Sequence, residues 1–140
     1  MSFKPAARRK AREYTVQAIY QWQMTGNPLN EIEAQYLTTM NPKKVDTEYF
    51  QELFMGILTG LEEVDVKLEP ALERDIEDID PIERAIIRLS AFELIKRVEI
   101  PKKVVINEGI ELAKTFGATD GHKFVNGVLD KISKHIRPHE

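Results

Sequence analysis

Residues 80–96 read DPIERAIIRLSAFELIK, and this stretch decides the fold. Asp80 followed by Pro81 is typical of a helix start, because the carboxylate accepts hydrogen bonds from free backbone N–H groups and proline suits the first helical position. Apolar residues then fall on nearly every side of the helix. One face carries Ile82, Ala85, Ile86, Leu89 and Phe92, and another carries Ile87, Ala91 and Leu94. Neighbouring helices must bury such a segment, so we expect it to be the central helix.

The rest of the chain is predicted to form six further helices. They are expected from Pro5 to about Met24, from Pro28 to about Met40, from Asp46 to about Gly60, from about Glu62 to Ile76 with a kink or break at Pro70, from Pro101 to about Phe116, and from Thr119 or Asp120 to before Pro138. Strand-like alternation is nowhere sustained. The sequence therefore predicts an all-α protein, and its 140 residues without a linker predict one domain, 1–140.

Composition excludes several classes of protein. Hydrophobic residues make up 42% and charged residues 31%, as in soluble globular proteins. There is no cysteine, which favours a reducing compartment, and no apolar run approaches the roughly 20 residues needed to span a membrane. We expect a cytoplasmic protein with no membrane association.

Charge is distributed unevenly along the chain, although the formal net charge is only −3. The first twelve residues hold five cations and no acid, whereas residues 62–83 hold ten acids and two cations. This pattern indicates either two surfaces for unlike partners or ordinary solvated helix faces.

Catalytic and metal-binding motifs are not found. The three histidines are His122, His135 and His139, and Pro138 separates the last two, so they need not share a helix face. Glycine-rich phosphate loops are absent, and Asp120 beside His122 is more simply a helix cap than half of an acid–base pair. We therefore expect no enzyme activity, no cofactor and no metal site.

Two stretches offer chemistry suited to RNA. In residues 114–130, KTFGATDGHKFVNGVLD, Phe116 and Phe124 flank a polar turn with lysines. A helix start suits phosphate and an aromatic ring can stack on a base. From the residues alone, however, the simpler interpretation is that both rings plug the core at a helix corner. On the first helix, Tyr20 is expected to share a stripe with Arg9 away from the core, or to cover a second helix instead.

Three segments resemble the NusB family of bacterial transcription antitermination factors. They are KPAARRKAREYTVQAIYQWQ (4–23), ELIKRVEIPKKVVINEGIELAKTFG (93–117) and HKFVNGVLDKI (122–132), and the similarity extends from Lys4 to about Arg137. The resemblance implies about seven helices in two packed helical bundles and no enzymatic activity. It also implies a heterodimer with NusE, a ribosomal small-subunit protein, that binds single-stranded boxA RNA in nascent rRNA transcripts. With RNA polymerase, that assembly suppresses premature termination, and relatives occur both as monomers and as homodimers.

The resemblance also assigns roles to individual residues. It implies RNA contacts by Lys4, Arg8, Arg9, Lys10, Arg12, Tyr20, Phe116, Asp120, Lys123 and Phe124. It implies that Glu83 faces NusE, with Glu77 beside it, which suits a basic partner. Within the motifs, Gly109 stands where many relatives have alanine, and Gly121 where serine is common.

A helical adaptor that binds only proteins is the main alternative. In that case the basic first helix would dock on an acidic partner. Binding of boxA-like RNA in preference to scrambled RNA would distinguish the two functions. An enzyme is a more distant alternative, which a bound metal or nucleotide would support.

Overall fold

The computed structural model describes residues 5–140, in which seven α-helices and two short 3₁₀ turns occur and no strand is present. The helices are α1 (Pro5–Thr25), α2 (Leu29–Thr39), α3 (Thr47–Thr59), α4 (Leu61–Leu68), α5 (Pro81–Lys96), α6 (Lys102–Phe116) and α7 (Gly121–Ile136). The 3₁₀ turns are Glu69–Ala71 and Ile76–Asp78. The all-α fold and the number of helices are as the sequence predicts. The chain divides into two compact units, one ending at Thr59 and the other covering Gly60–Glu140.

The first unit is a bundle of α1, α2 and α3. Its fully buried side chains include Ile19, Ile32, Phe50 and Phe54, and the last two rings stack with centroids 5.8 Å apart. Gly26 ends α1 with a φ of 67°, a left-handed conformation that glycine adopts without steric cost.

Asp46 caps the start of α3, as the sequence predicts. Its Oδ1 accepts a hydrogen bond from the backbone N–H of Tyr49 at 3.0 Å. The backbone N–H of Asp46 in turn donates to the carbonyl of Ala7 at 3.1 Å. The first turn of α1 is thereby fastened to the start of α3.

The second unit packs α4, α6 and α7 around α5. Every residue of α5 from Glu83 to Leu94 is buried, as expected of a central helix. Asp80 Oδ2 accepts from the backbone N–H groups of Ile82 and Glu83, which confirms the predicted cap. Arg88 makes a two-pronged ion pair with Asp65 on α4, with both N–O distances 3.0 Å.

The far end of α5 is closed by Arg137, which is 9% exposed. Its guanidinium donates to the backbone carbonyls of Glu93, Leu94, Arg97 and Ile100. The last carbonyls of a helix have no partner within that helix. Arg137 supplies a partner for the Leu94 carbonyl from a position 43 residues further along the chain, and it adds a second donor to the Glu93 carbonyl, which already accepts from the backbone N–H of Arg97.

The break predicted at Pro70 is confirmed, because proline cannot donate an N–H and α4 ends at Leu68. Two other predicted helix features are wrong. The fourth helix does not resume towards Ile76, since the chain continues as separate 3₁₀ turns. Asp120 occupies the N-cap position of α7, but its side chain makes no capping hydrogen bond.

Candidate nucleic-acid interface

The basic residues at the start of α1 are divided between two environments. Arg8 Nε lies 3.7 Å from Asp46 Oδ2, and the Arg8 guanidinium lies 4.1 Å from the centre of the Tyr49 ring. Arg12 is 5% exposed and also lies over that ring, at 5.6 Å. Both arginines are therefore directed towards the start of α3.

Arg9 and Lys10 are exposed, and the Lys10 ammonium lies 3.6 Å from Glu13 Oε1. Tyr20 is half-buried. The predicted stripe of Arg9 and Tyr20 also contains Val16, which is fully buried, so the expectation that this stripe lies away from the core is only partly right. The predicted RNA contact Lys4 lies outside the described residues.

The corner between α6 and α7 brings the predicted aromatic and charged residues into one short segment. Phe116 is the last residue of α6 and Phe124 lies in the first turn of α7, and both are half-buried. Asp120 and Lys123 are exposed, with Lys123 Nζ 3.4 Å from Asp120 Oδ1. Each ring thus has part of its surface open to a ligand.

A groove of about 490 Å³ lies beside Phe124, between α7 and the segment 71–79. Its α7 side presents Lys123, Phe124, Gly127, Val128 and Lys131. Its other side presents Ala71, Leu72, Glu73, Arg74 and Ile79. The sequence prediction did not include Gly127, Lys131 or Arg74. The spacing of four from Lys123 through Gly127 to Lys131 is the signal that places them on one helix face.

A second groove, of about 830 Å³, is strongly acidic. Seven acids line it, namely Glu62, Asp65, Glu69, Glu73, Asp75, Glu77 and Asp78, and Arg74 is the basic residue among its lining residues. The Glu77 carboxylate also lies 3.5 Å from Arg84 and 3.9 Å from Arg88. Leu61, Val66, Leu72 and Ile76 supply apolar surface.

Glu83 does not line the acidic groove, unlike Glu77, and is only 9% exposed. A Cβ at Gly121 would lie 2.7 Å from Glu83 Oε2, so the absence of a side chain at Gly121 makes room for this carboxylate against the start of α7. Burial raises the pKa of Glu83, and the neighbouring charge of Asp80 raises it further, while Arg74 partly offsets both effects.

Residues 5–140 contain no cluster of three or more histidine, cysteine, aspartate or glutamate side chains suited to a metal ion. None of the described helices combines the length and the apolar character required to cross a membrane.

Comparison with known proteins gives a consistent result. The sequence profile of the NusB family matches residues 9–134. A transcription antitermination protein NusB from Pseudoalteromonas atlantica is 57% identical over 137 residues, covering 98% of both chains. One from Pseudomonas savastanoi pv. phaseolicola is 55% identical, covering 96% of this chain and 81% of that protein.

Solved structures agree with the sequence relatives. A structure of T. maritima NusB superposes with a TM-score of 0.82 at 28% identity, covering 96% of this chain and 93% of that chain. A structure of the antitermination factors NusB and NusE in complex with double-stranded RNA gives 0.83 at 27% identity, covering 94% and 99%.

Proposed function

This chain belongs to the NusB family, and from that premise we propose that it is an RNA-binding transcription antitermination factor that acts together with NusE. Its target is the single-stranded boxA element of nascent rRNA transcripts, and its site of action is RNA polymerase in the cytoplasm. The relatives carry the name of a transcription factor, so the proposal includes no catalytic step. A homodimer that masks the basic residues is compatible with the same function.

The observation that carries the RNA-binding proposal is the chemistry at the start of α7. Phe124 is half-buried beside the exposed side chains of Asp120 and Lys123. An accessible ring stacks on a base, a lysine binds a phosphate, and a carboxylate accepts hydrogen bonds from exocyclic amines of bases. Phe116, at the end of α6, supplies a second accessible ring.

In the first unit, the proposed RNA contacts are the exposed cations Arg9 and Lys10 and the half-buried ring of Tyr20. Arg8 and Arg12 belong to the same basic segment. Because Arg8 contacts Asp46 and both arginines lie over the Tyr49 ring, they contribute to RNA binding indirectly, by fixing the position of α1. Lys4 completes the set as a further proposed phosphate contact.

We place NusE on the acidic surface of the second unit. The acidic groove offers Glu77 and six further carboxylates over apolar side chains, which suits a basic protein partner. We include Glu83 in this proposed NusE surface, since a small part of the residue is exposed.

The deciding experiment is a titration of the purified chain with boxA-like and scrambled single-stranded RNA at fixed salt, with and without NusE. We expect preference for boxA and tighter binding with NusE. With about four phosphate contacts, log K should fall with log salt at a slope near −3. Phe124→Asp should abolish most binding and leave the circular dichroism spectrum unchanged.

Equal affinity for the two RNAs together with salt-independent binding would favour the alternative of a purely protein-binding adaptor. Loss of helicity in Phe124→Asp would instead assign that ring to the core.

A further inference from the structure

Gly127 is an exposed glycine in the middle of α7, a position where glycine weakens the helix. A Cβ built on it would meet no atom within 4 Å. Its φ is also not in the left-handed region, where Gly26 is found. Neither packing nor backbone conformation within the described chain therefore requires a glycine here.

Gly127 lines a surface groove. It lies in the groove of about 490 Å³ beside Phe124, a volume within the range of roughly 300–1,000 Å³ that is usual for small-molecule sites. Leu72, Ile79 and Val128 give the groove an apolar lining.

The charge of the groove is complementary to a polyanion. Arg74, Lys123 and Lys131 line it together with one acid, Glu73. Arg74 and Lys131 are both exposed, so both cations are accessible to a phosphate. The groove is also continuous with the proposed RNA contacts, because Lys123 and Phe124 belong to both.

We propose that this groove is a subsite for one nucleotide of the bound single-stranded RNA. Its base lies against α7 at Gly127, next to the Phe124 ring, where any larger side chain would occupy the same space. Arg74 and Lys131 hold the flanking phosphates. This inference rests on the proposed function. It extends the proposed RNA surface along α7 from Phe124 to Lys131.

The test compares Gly127→Leu with Asn126→Leu by fluorescence anisotropy of the purified chain with boxA-like RNA. Both positions are exposed on α7, but Asn126 does not line the groove. We expect Gly127→Leu to weaken RNA binding about tenfold, the loss appropriate to one displaced stacked base, and Asn126→Leu to change it less than about twofold. Thermal unfolding should show that Gly127→Leu is at least as stable as the parent.

A second variant makes the test independent of how Gly127→Leu folds. Lys131→Ala should reduce the slope of log K against log salt by about one, because one phosphate contact is lost. Parent-like RNA binding by both Gly127→Leu and Lys131→Ala, while Phe124→Asp loses binding, would overturn the subsite and leave the proposed function intact. Loss of NusE association in Gly127→Leu with RNA affinity unchanged would also overturn it, and failure of the parent to bind RNA would overturn both.

Discussion

Two adjacent arginines at the start of α1 differ in what surrounds them. Arg9 is exposed, whereas Arg8 lies against Asp46 and the face of Tyr49. A cation over an aromatic ring contributes roughly 0.5–2 kcal/mol, depending on how far it is removed from water. The basic segment thus combines a structural contact with solvent-facing charge.

Alanine substitution separates these two roles. Arg8→Ala should lower the free energy of unfolding by about 1–2 kcal/mol, because it removes the cation beside Asp46 and the nearer of the two guanidiniums over the Tyr49 ring. Arg9→Ala should lower stability less than Arg8→Ala does, because Arg9 is exposed, and it should weaken RNA binding with a smaller salt slope. Urea unfolding and RNA titration of both variants provide the measurement. Equal stability of the two variants would contradict the structural role of Arg8.

Glu83 makes the stability of the chain depend on pH in the direction opposite to that of most carboxylates. Its pKa in the folded chain is raised above the ordinary value of 4.5, first by burial and then by Asp80. The folded state therefore holds this proton more tightly than the unfolded state does, and stability from this group increases as pH falls through the raised pKa towards 4.5.

Urea unfolding between pH 7 and pH 4 should show this effect as a difference between the parent and Glu83→Gln, which cannot titrate. Acidification should improve the stability of the parent relative to the variant over that interval. A difference that stays constant with pH would mean that Glu83 has the same pKa in both states.

At the level of helices, the second unit contains two glycines whose replacement by alanine should have different effects. At Gly127 the added methyl group meets nothing, so alanine should raise stability by about 1 kcal/mol through helix propensity alone. At Gly109 it would lie 2.7 Å from Leu129 Cδ1 and 2.9 Å from Ser90 Oγ, so overpacking should cancel or reverse that gain. Thermal unfolding of the two variants tests this, and an equal gain at both sites would contradict the tight packing of α6.

Helix boundaries set by local chemistry could be predicted from the sequence, and those set by competing contacts could not. Asp80-Pro81, Asp46 and Gly26 define their helix ends through their own backbone and side-chain bonds. Asp120 has the residue type of a cap, yet its carboxylate lies by Lys123 in solvent. At Pro70 the sequence predicted a kink or a break, and the structure shows the break, but the sequence did not predict that the chain beyond it forms 3₁₀ turns instead of α-helix.

The candidate site, too, could be predicted from the sequence only in part. Lys123 and Phe124 could be chosen because one short segment contains a ring and a cation at a helix start. Arg74 could not, because tertiary packing brings the segment 71–79 alongside α7 from about fifty residues earlier in the chain. Burial likewise distinguishes Arg12 from Arg9, and no sequence pattern revealed that difference.

For the molecule as a whole, the modest net charge conceals surfaces of opposite sign within the second unit. Seven carboxylates line one groove, and three cations with one acid line another. Complementary charge chiefly sets partner choice and association rate, so the two grooves should select ligands of opposite charge.

Charge reversal in the acidic groove tests this separation. Asp78→Lys should weaken NusE association severalfold at low salt and spare RNA binding by the isolated chain, because Asp78 lines only the acidic groove. Glu111→Lys, at an exposed acid of α6 outside both grooves, is the matched control. Surface plasmon resonance at two salt concentrations gives the measurement. Equal effects of the two substitutions would move the partner surface elsewhere.

The guanidinium of Arg137 has a consequence for how the chain is made. Near the end of α5, the Leu94 carbonyl accepts a hydrogen bond from a residue that the ribosome adds 43 positions later, and the Glu93 carbonyl accepts a second hydrogen bond from that same residue. Throughout synthesis of α6 and α7, the central helix of the second unit therefore lacks the group that completes its C-terminal end. Closure of this unit must be a late event in biosynthesis, and a nascent chain halted before Arg137 would expose an unfinished α5 to chaperones and proteases.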